Sequence, residues 1–241
     1  MKIKWLGHAA VELVSASGLK ILYDPYVVGF EPGPEGRLTH APITEPYDIV
    51  AVTHDHPDHN NVGMIRGNPE IVRGMQIKGK GTVTVKGIDF WSIGTFHDDK
   101  GGILGGENSI LCCNVDGVNI AHSGDIGHVP TKKQLDELKK HGVDVFLLCI
   151  GLIEKEGERF EKFIIDTEAT IMNGIWEVVK PFIRYLIPIH YRNAKCDFRF
   201  ITVDEFCGDK TNVTRVKESV AECTSASLPA TPQIVVLEPA L

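Results

Sequence analysis

Three histidines and two aspartates occupy five of the six positions His54-Asp55-His56-Pro57-Asp58-His59, just behind the apolar run 48–52. No other segment constrains the fold as much. With 10 histidines in the whole chain, an H-x-H-x-D-H pattern arises by chance about once in a thousand such sequences, below the ordinary false-positive rate of short motifs. In an extended segment alternate side chains share a side. His54 and His56 can therefore grip one ion, while Asp58 and His59, in the turn that follows, serve a neighbouring one. Imidazole nitrogen suits zinc, and carboxylate oxygen widens the choice to manganese, iron or cobalt. A closed zinc site that only stabilises a fold leans on cysteine thiolates, and none lies near this segment in the sequence.

Two ions need more ligands than one segment supplies, so isolated His and Asp residues are expected at the ends of later strands. His97 follows the run 91–96, Asp125 sits in the turn His122-Ser123-Gly124-Asp125, and His190 closes Ile187-Pro188-Ile189. Each stands where loops at a common sheet edge converge. Any one alone reads as a surface or satisfied core residue; together with the first segment they read as a ligand set. His8 and Asp24, at the ends of early strands, are candidates to line or support the site. A metal-bound imidazole usually donates its other N–H to a carboxylate or carbonyl, and Asp24 can provide one. The plainer readings are a turn residue before Pro25 for Asp24 and a hydrogen-bonded core histidine for His8. His122 and His128 flank Asp125 and receive no place among the ligands.

Apolar runs at 2–6, 10–14, 19–23, 48–52, 82–85 and 89–93 predict strands through the first half of the chain. The runs 109–115 and 118–122 flank Asp116-Gly117, a dipeptide suited to a two-residue hairpin turn. Thr131 with Gln134 forms a capping-box pattern ahead of a helix carrying Leu135 and Leu138. A second helix is expected over 167–180, with Asp166 as its N-cap and Pro181 marking its end. Strands return at 144–150, 184–189 and 233–237. Hairpins first and strand-helix alternation later predict an α/β fold of two mixed sheets packed face to face with helices outside. The absence of a Pro/Gly/Ser-rich linker predicts one domain over 1–241. The stretches 27–46, 100–108 and 154–162 read as long loops, which tend to edge sites.

Charge and hydropathy remove several classes of function. With 25 basic and 32 acidic side chains and a net charge of -7, the chain has no basic face of the kind that coats nucleic acid or an anionic membrane. The first residues are interrupted by His8 and Glu12 and make a poor secretory signal. No run approaches the roughly 18 apolar residues of a membrane span. The 6 cysteines include no C-x-x-C pair and read as small buried hydrophobes of a reducing compartment, so the cytoplasm is the expected location. No G-x-S-x-G elbow occurs and no cysteine has an evident base beside it, which argues against seryl or cysteinyl catalysis.

With these motifs in order, the sequence resembles the metallo-β-lactamase superfamily of binuclear metal hydrolases. The pattern is H-x-H-x-D-H, a lone His, an Asp in a Gly-Asp turn and a final His after a strand, and it extends from residue 1 to about residue 190. Within the superfamily the chain looks most like the branch of the L-ascorbate-6-phosphate lactonase and related metal-dependent hydrolases. Carrying that likeness are Trp5-Leu6-Gly7-His8-Ala9, Tyr23-Asp24-Pro25, the 53–59 segment, His97-Asp98-Asp99-Lys100-Gly101-Gly102, Ser123-Gly124-Asp125 and Pro188-Ile189-His190-Tyr191. The resemblance implies a four-layer αβ/βα sandwich with its site along one edge. It puts His54, His56 and His97 on one metal, Asp58, His59 and His190 on a second, and Asp125 between them as a bridging carboxylate. One stretch departs from the branch: relatives often carry a glycine pair followed shortly by a helix-starting Asp, where this chain has Cys149-Ile150-Gly151-Leu152 and then the charged stretch 154–162 before Asp166. That departure falls on the substrate rim.

The implied chemistry is hydrolysis. Two divalent ions about 3.5 to 4 Å apart share a water and lower its pKa to near neutrality, presenting hydroxide to a carbonyl or phosphorus centre. Zn2+ is the expected metal, with Mn2+ or Fe2+ as alternatives, and Asp58 is expected to orient the hydroxide besides ligating. The substrate class is a small ester, lactone, amide or phosphodiester. One rival is a nuclease of the same superfamily, which generally carries an added nucleic-acid-gripping domain. The other is a metal-dependent binding or regulatory protein without turnover. After His190 the chain carries Arg192, Lys195 and Arg199. Arg192 and Lys195 are the candidates to meet an anionic group on a small-molecule substrate, arginine through its bidentate fork; solvated surface charge is the competing reading. Neither membrane nor nucleic acid is expected as a partner, and the oligomeric state stays open.

Overall fold

Alternation of buried side chains along the first strands sets the architecture. The computed structural model describes residues 1–31, 36–152 and 161–241, the last segment with side chains from residue 168 onward. The first half contains β1 (Lys2–Gly7), β2 (Ala10–Val14), β3 (Lys20–Tyr23), β4 (Ile49–Val52), β5 (Glu70–Arg73), the short helix α1 (Gly74–Ile77), β6 (Val83–Val85), β7 (Ile88–Phe96), β8 (Glu107–Val115) and β9 (Val118–His122). The second half alternates: α2 (Lys132–Lys140), β10 (Val145–Cys149), α3 (Glu161–Val179), β11 (Tyr185–Ile189), α4 (Val203–Cys207), β12 (Val213–Arg215), β13 (Val220–Glu222) and β14 (Gln233–Val236).

These strands form two mixed sheets, of order β13-β1-β2-β3-β4-β5 and β12-β14-β11-β10-β9-β8-β7-β6. Ile3, Trp5, Val11, Leu13, Ile21, Tyr23, Ile49 and Ala51 of the smaller sheet join the main core with the larger one. The intervening Leu6, Ala10, Leu22, Val50 and Val52 face the other way and are covered by Tyr26, Leu38, Tyr47, Phe198 and Phe200 from irregular chain. In the larger sheet β10 is buried along its whole length, as a parallel strand covered on both faces must be. Helix α3 lays Met172, Ile175, Trp176 and Val179, one helical stripe, into the same core. Trp91 of β7 stacks on His141 at the end of α2, ring centroids 4.7 Å apart. The result is the expected α/β sandwich of two mixed sheets with helices outside.

Local signals behave as their chemistry requires. Thr131 and Gln134 form the reciprocal capping box that starts α2. Asp116 and Gly117 take φ of 54° and 76° in the two-residue turn that registers Val115 against Val118. The start of α3 differs from expectation. Its backbone is helical from Glu161, so Asp166 lies inside the helix and does not cap it, because the apolar residues Phe163, Ile164 and Ile165 prolong the helical run upstream. The expected loop 100–108 ends at residue 106, because β8 begins at Glu107. The stretch 154–162 lies, up to residue 160, outside the described residues. No helix among the described residues is long and apolar enough to cross a membrane.

Topology decides where function sits. β1 and β3 each run antiparallel to β2, and β4 runs parallel to β3, so the carboxyl ends of β1, β3 and β4 share one edge. In the larger sheet the same reasoning aligns β7, β9, β10 and β11. The residues just beyond these ends are His8, Asp24, Thr53-His54, His97, Ser123 to Asp125, Gly151 and His190.

Candidate metal centre

Thr53 leaves β4 and is anchored at once: its N–H and its hydroxyl donate to Asp24 Oδ1 and Oδ2 at 2.8 and 2.6 Å. This bond turns the chain so that His54, Asp58 and His59 are buried and His56 is half-buried. Three strand-end residues that carry the site, His8, Asp24 and His190, hold left-handed backbone angles with φ of 50°, 40° and 56°. Such angles cost of order 1 kcal/mol or more each in non-glycine residues, and they concentrate where side chains must be aimed. Glycines do the close packing around them: a Cβ on Gly124 would lie 2.2 Å from Asn108 Oδ1.

The expected ligands converge into two adjoining groups. Ligand-capable atoms of His54, His56, His97 and Asp125 lie within 4.8 Å of one another, and so do those of His8, Asp58, His59 and His190. Asp125 Oδ2 lies between them, 3.1 Å from His97 Nε2 and 3.1 Å from His59 Nε2, with His190 Nε2 at 3.7 Å and His54 Nε2 at 3.9 Å. On the other side Asp58 Oδ2 is 3.8 Å from His59 Nε2 and 4.0 Å from His190 Nε2.

The far nitrogens are fixed by the protein. His54 Nδ1 meets Thr53 Oγ1 at 3.0 Å, His59 Nδ1 meets Asp24 Oδ2 at 2.9 Å, and His190 Nδ1 meets the Gly151 carbonyl at 3.0 Å. Nδ1–H must be the donor toward the carboxylate and the carbonyl, so Nε2 of His59 and His190 points inward, where it offers a lone pair once no proton occupies it. The Nε2 atoms of His54, His59 and His190, and Oδ1 of Asp125, are buried without a hydrogen-bond partner. Burying polar atoms unpaired is costly, and this donor set of imidazole nitrogen and carboxylate oxygen is one that a divalent ion satisfies. The residues therefore fit a metal.

Electrostatics agree with that fit. Burial first, then His59 beside His54 and His97 beside His56, hold both imidazoles below the usual histidine range and so neutral. Burial opposes ionisation of Asp125 and Asp58, but the surrounding histidines outweigh it. Asp125 is held well below the carboxylate range by His190 and His59, and Asp58 by His59 and by the hydrogen bond from His8. His59 goes the opposite way: burial lowers it, yet Asp125 and Asp58 raise it well above its ordinary value. Carboxylate charge at the centre of the cluster calls for a cation there.

His8 stands at the Asp58 end, its Nε2 3.0 Å from Asp58 Oδ2 and its Nδ1 3.8 Å from the Cys196 sulfur. Burial, then repulsion from His190, push its pKa down to about 3. A neutral His8 therefore donates its Nε2–H to the carboxylate. Asp24 accepts the Nδ1–H of His59 at 2.9 Å. His122, by contrast, bonds the Ala9 carbonyl and stacks on Tyr23, a core histidine with no part in either group.

Of the residues proposed for substrate contact, Arg192 pairs with Glu205 at 3.6 Å and Lys195 is exposed. The chain after His190 does fold back over the cluster, but with aromatic side chains: Phe200 stacks on His190 at 4.8 Å and Phe198 meets His8 edge-on at 5.6 Å. Sequence reading missed Thr53, the Gly151 carbonyl, Cys196, Phe198 and Phe200 as parts of the site. Alternation in Cys196-Asp197-Phe198-Arg199-Phe200 was the available signal, since Cys196, Phe198 and Phe200 are buried and Asp197 and Arg199 exposed.

The chain is similar to known proteins over most of its length. A family model described as the beta-lactamase superfamily domain matches residues 2–190, well over half of the chain. The chain belongs to the metallo-β-lactamase superfamily. Among its superfamily relatives, the UPF0173 metal-dependent hydrolase of Carboxydothermus hydrogenoformans is 31% identical over 213 residues, covering 79% of this chain and 84% of that one. The protein of the same name from Methanospirillum hungatei is 33% identical over 169 residues, 63% of this chain and 70% of its own. A crystal structure from Thermotoga maritima, assigned as a Zn-dependent hydrolase of the metallo-β-lactamase superfamily, is 25% identical with a TM-score of 0.66 and covers 98% of both chains. These names specify metal dependence and hydrolysis, and no substrate.

Proposed function

We propose that this metallo-β-lactamase superfamily chain is a metal-dependent hydrolase holding two divalent ions, Zn2+ first and Mn2+ or Fe2+ as alternatives. It would act on a small ester, lactone, amide or phosphodiester. The observation that carries the reading is the set of buried, unpartnered Nε2 atoms of His54, His59 and His190 around Asp125. His54, His56 and His97 would hold one ion, Asp58, His59 and His190 the other, with Asp125 shared. Bound there, divalent ions supply Lewis acidity and an activated water at neutral pH.

The chain's own residues supply the rest. Asp58, fixed by the N–H of His8, is the carboxylate positioned to orient an attacking water and accept its proton at Oδ2. Thr53, Asp24 and Gly151 keep the imidazole rings from rotating as charge develops. Phe198 and Phe200 lie against His8 and His190 and keep bulk water from that side. The six cysteines are unpaired and buried, a state that a reducing compartment maintains, which supports a cytoplasmic location.

The test is metal analysis together with hydrolysis assays on a panel of esters, lactones, amides and phosphodiesters, lactones taken first on the strength of the branch resemblance. Two equivalents of metal with turnover of one class supports the proposal. Bound metal with no hydrolysis across the panel favours a binding or regulatory protein, and protein that takes up no metal defeats both readings.

A further inference from the structure

His97 is held differently from its neighbours. His54, His59 and His190 each have Nδ1 fixed by a hydrogen bond, whereas Nδ1 of His97 is buried without a partner. Apart from the contact of its Nε2 with Asp125 at 3.1 Å, its ring orientation therefore rests on what packs behind it. That wall is backbone: a Cβ on Gly105 would lie 2.7 Å from both Cβ and Nδ1 of His97, and one on Gly127 would lie 2.1 Å from the His97 carbonyl oxygen.

Gly105 belongs to the loop 98–106, and this loop has little apolar packing to shape it. Its tip residues Ile103 and Leu104 are 82% and 59% exposed. Instead it is gathered around one carboxylate. Asp98 Oδ1 accepts the N–H groups of Lys100 and Gly102 at 2.7 and 2.8 Å, and Oδ2 accepts those of Leu104 and Gly105 at 2.8 and 2.7 Å. Backbone bonds from Gly106 to Gly102 and from His97 to Gly106 then close the loop onto the residue that precedes it.

We propose that Asp98 is a positioning residue for His97: by collecting four backbone N–H groups it holds Gly105 as a wall against the imidazole and so fixes the direction of the Nε2 lone pair. The inference rests on the reading of His97 as a metal ligand. Neutralising the carboxylate loosens the wall, and adding a methyl group to Gly105 pushes the ring away. Gly105 has no left-handed φ, so Gly105→Ala acts through the contact and not through backbone strain.

The experiment is Co2+ titration of the metal-free protein, followed by visible absorption, for wild type, Asp98→Asn, Gly105→Ala, His97→Ala and the loop-tip control Ile103→Ser. Supporting second-sphere residues are worth about 10- to 100-fold in metal affinity. Asp98→Asn and Gly105→Ala are each expected to weaken one of the two Co2+ equivalents by that factor and change its ligand-field bands, leaving the other equivalent and the Ile103→Ser protein unchanged. Wild-type affinity and spectrum in either Gly105→Ala or a folded Asp98→Asn overturn the proposal. If Asp98→Asn fails to fold, Gly105→Ala decides alone. If His97→Ala keeps both equivalents at full affinity, the ligand reading itself is what has failed.

Discussion

Asp24 Oδ2 lies 2.9 Å from Nδ1 of His59, a residue 35 positions away, while the same carboxylate accepts both the N–H and the hydroxyl of Thr53. One fully buried side chain therefore sets the course of the chain after β4 and the tautomer of a candidate ligand. Asp24→Asn keeps the shape but turns an acceptor into a donor. It is expected to reduce metal affinity about 10- to 100-fold and to cost about 1–3 kcal/mol of stability by leaving buried donors unmet. Metal titration and urea unfolding read the two effects separately; unchanged affinity would remove Asp24 from the site.

Asp125 should separate function from fold. Its backbone N–H, not its side chain, bonds Asn108, and the adjoining turn is made by Gly124 at φ 52°. Asp125→Ala is expected to abolish hydrolysis and lower metal content while leaving far-ultraviolet circular dichroism intact, because it removes the carboxylate oxygen that lies between His97 of one group and His59 of the other. Near wild-type turnover with full metal would refute the shared assignment.

Metal removal should be visible in stability. Chelator-treated protein is expected to take up two equivalents, and at free metal 100-fold above Kd each site adds about 2.7 kcal/mol to unfolding. Calorimetry with increasing Zn2+ should show a melting temperature that climbs with concentration. Saturation at one equivalent, with His59→Ala and His190→Ala binding normally, would contradict the two-ion centre.

Arg192 is held by Glu205 at 3.6 Å in a pair whose side chains are 40% exposed on both partners. Pairs of this kind are worth little, so an anionic substrate can displace the carboxylate. If Arg192 meets such a group, Arg192→Ala raises KM several-fold for an anionic substrate and leaves its matched neutral analogue unchanged. Equal effects on both would assign the residue to local structure.

Glu168 is 1% exposed and its two oxygens accept the N–H groups of Leu152 at 2.9 Å and Ile201 at 3.0 Å. It thereby ties α3 to the segment carrying Phe200. Glu168→Ala leaves two buried donors without this acceptor and is expected to destabilise the protein by about 2–5 kcal/mol. Thermal unfolding checks the size, and a change below about 0.5 kcal/mol would show that water or backbone takes over both bonds.

The strands that carry the site were legible because each pairs an apolar run with a polar stop: β4 ends in the histidine segment and β11 in His190, and β10 and β11 match expectation within one residue at each end. The edge strands β5, β12 and β13 were not, since their side chains are mostly exposed or half-buried and a stretch such as Val213–Arg215 carries no apolar run. The candidate ligands were equally plain, as histidines at alternate positions just after an apolar run stand out in the sequence and converge in the fold. The covering aromatic pair was hidden for a physical reason. Phe198 and Phe200 act through packing on His8 and His190, and only the tertiary return of the chain brings them there. The expected cap at Asp166 failed because the polar signal was read without the apolar residues just upstream.

Because the cluster is assembled from the ends of strands in both sheets, it has a birth date within synthesis. His54 leaves the ribosome 136 residues before His190, an interval of about 7 to 27 s at ordinary elongation rates. During that time the histidine segment exists without the last imidazole and without the aromatic cover that follows it. A nascent chain stopped before β11 is thus an incomplete chelator open to solvent, and discrimination among ions falls to the finished pocket, after translation has passed the last strand that feeds it.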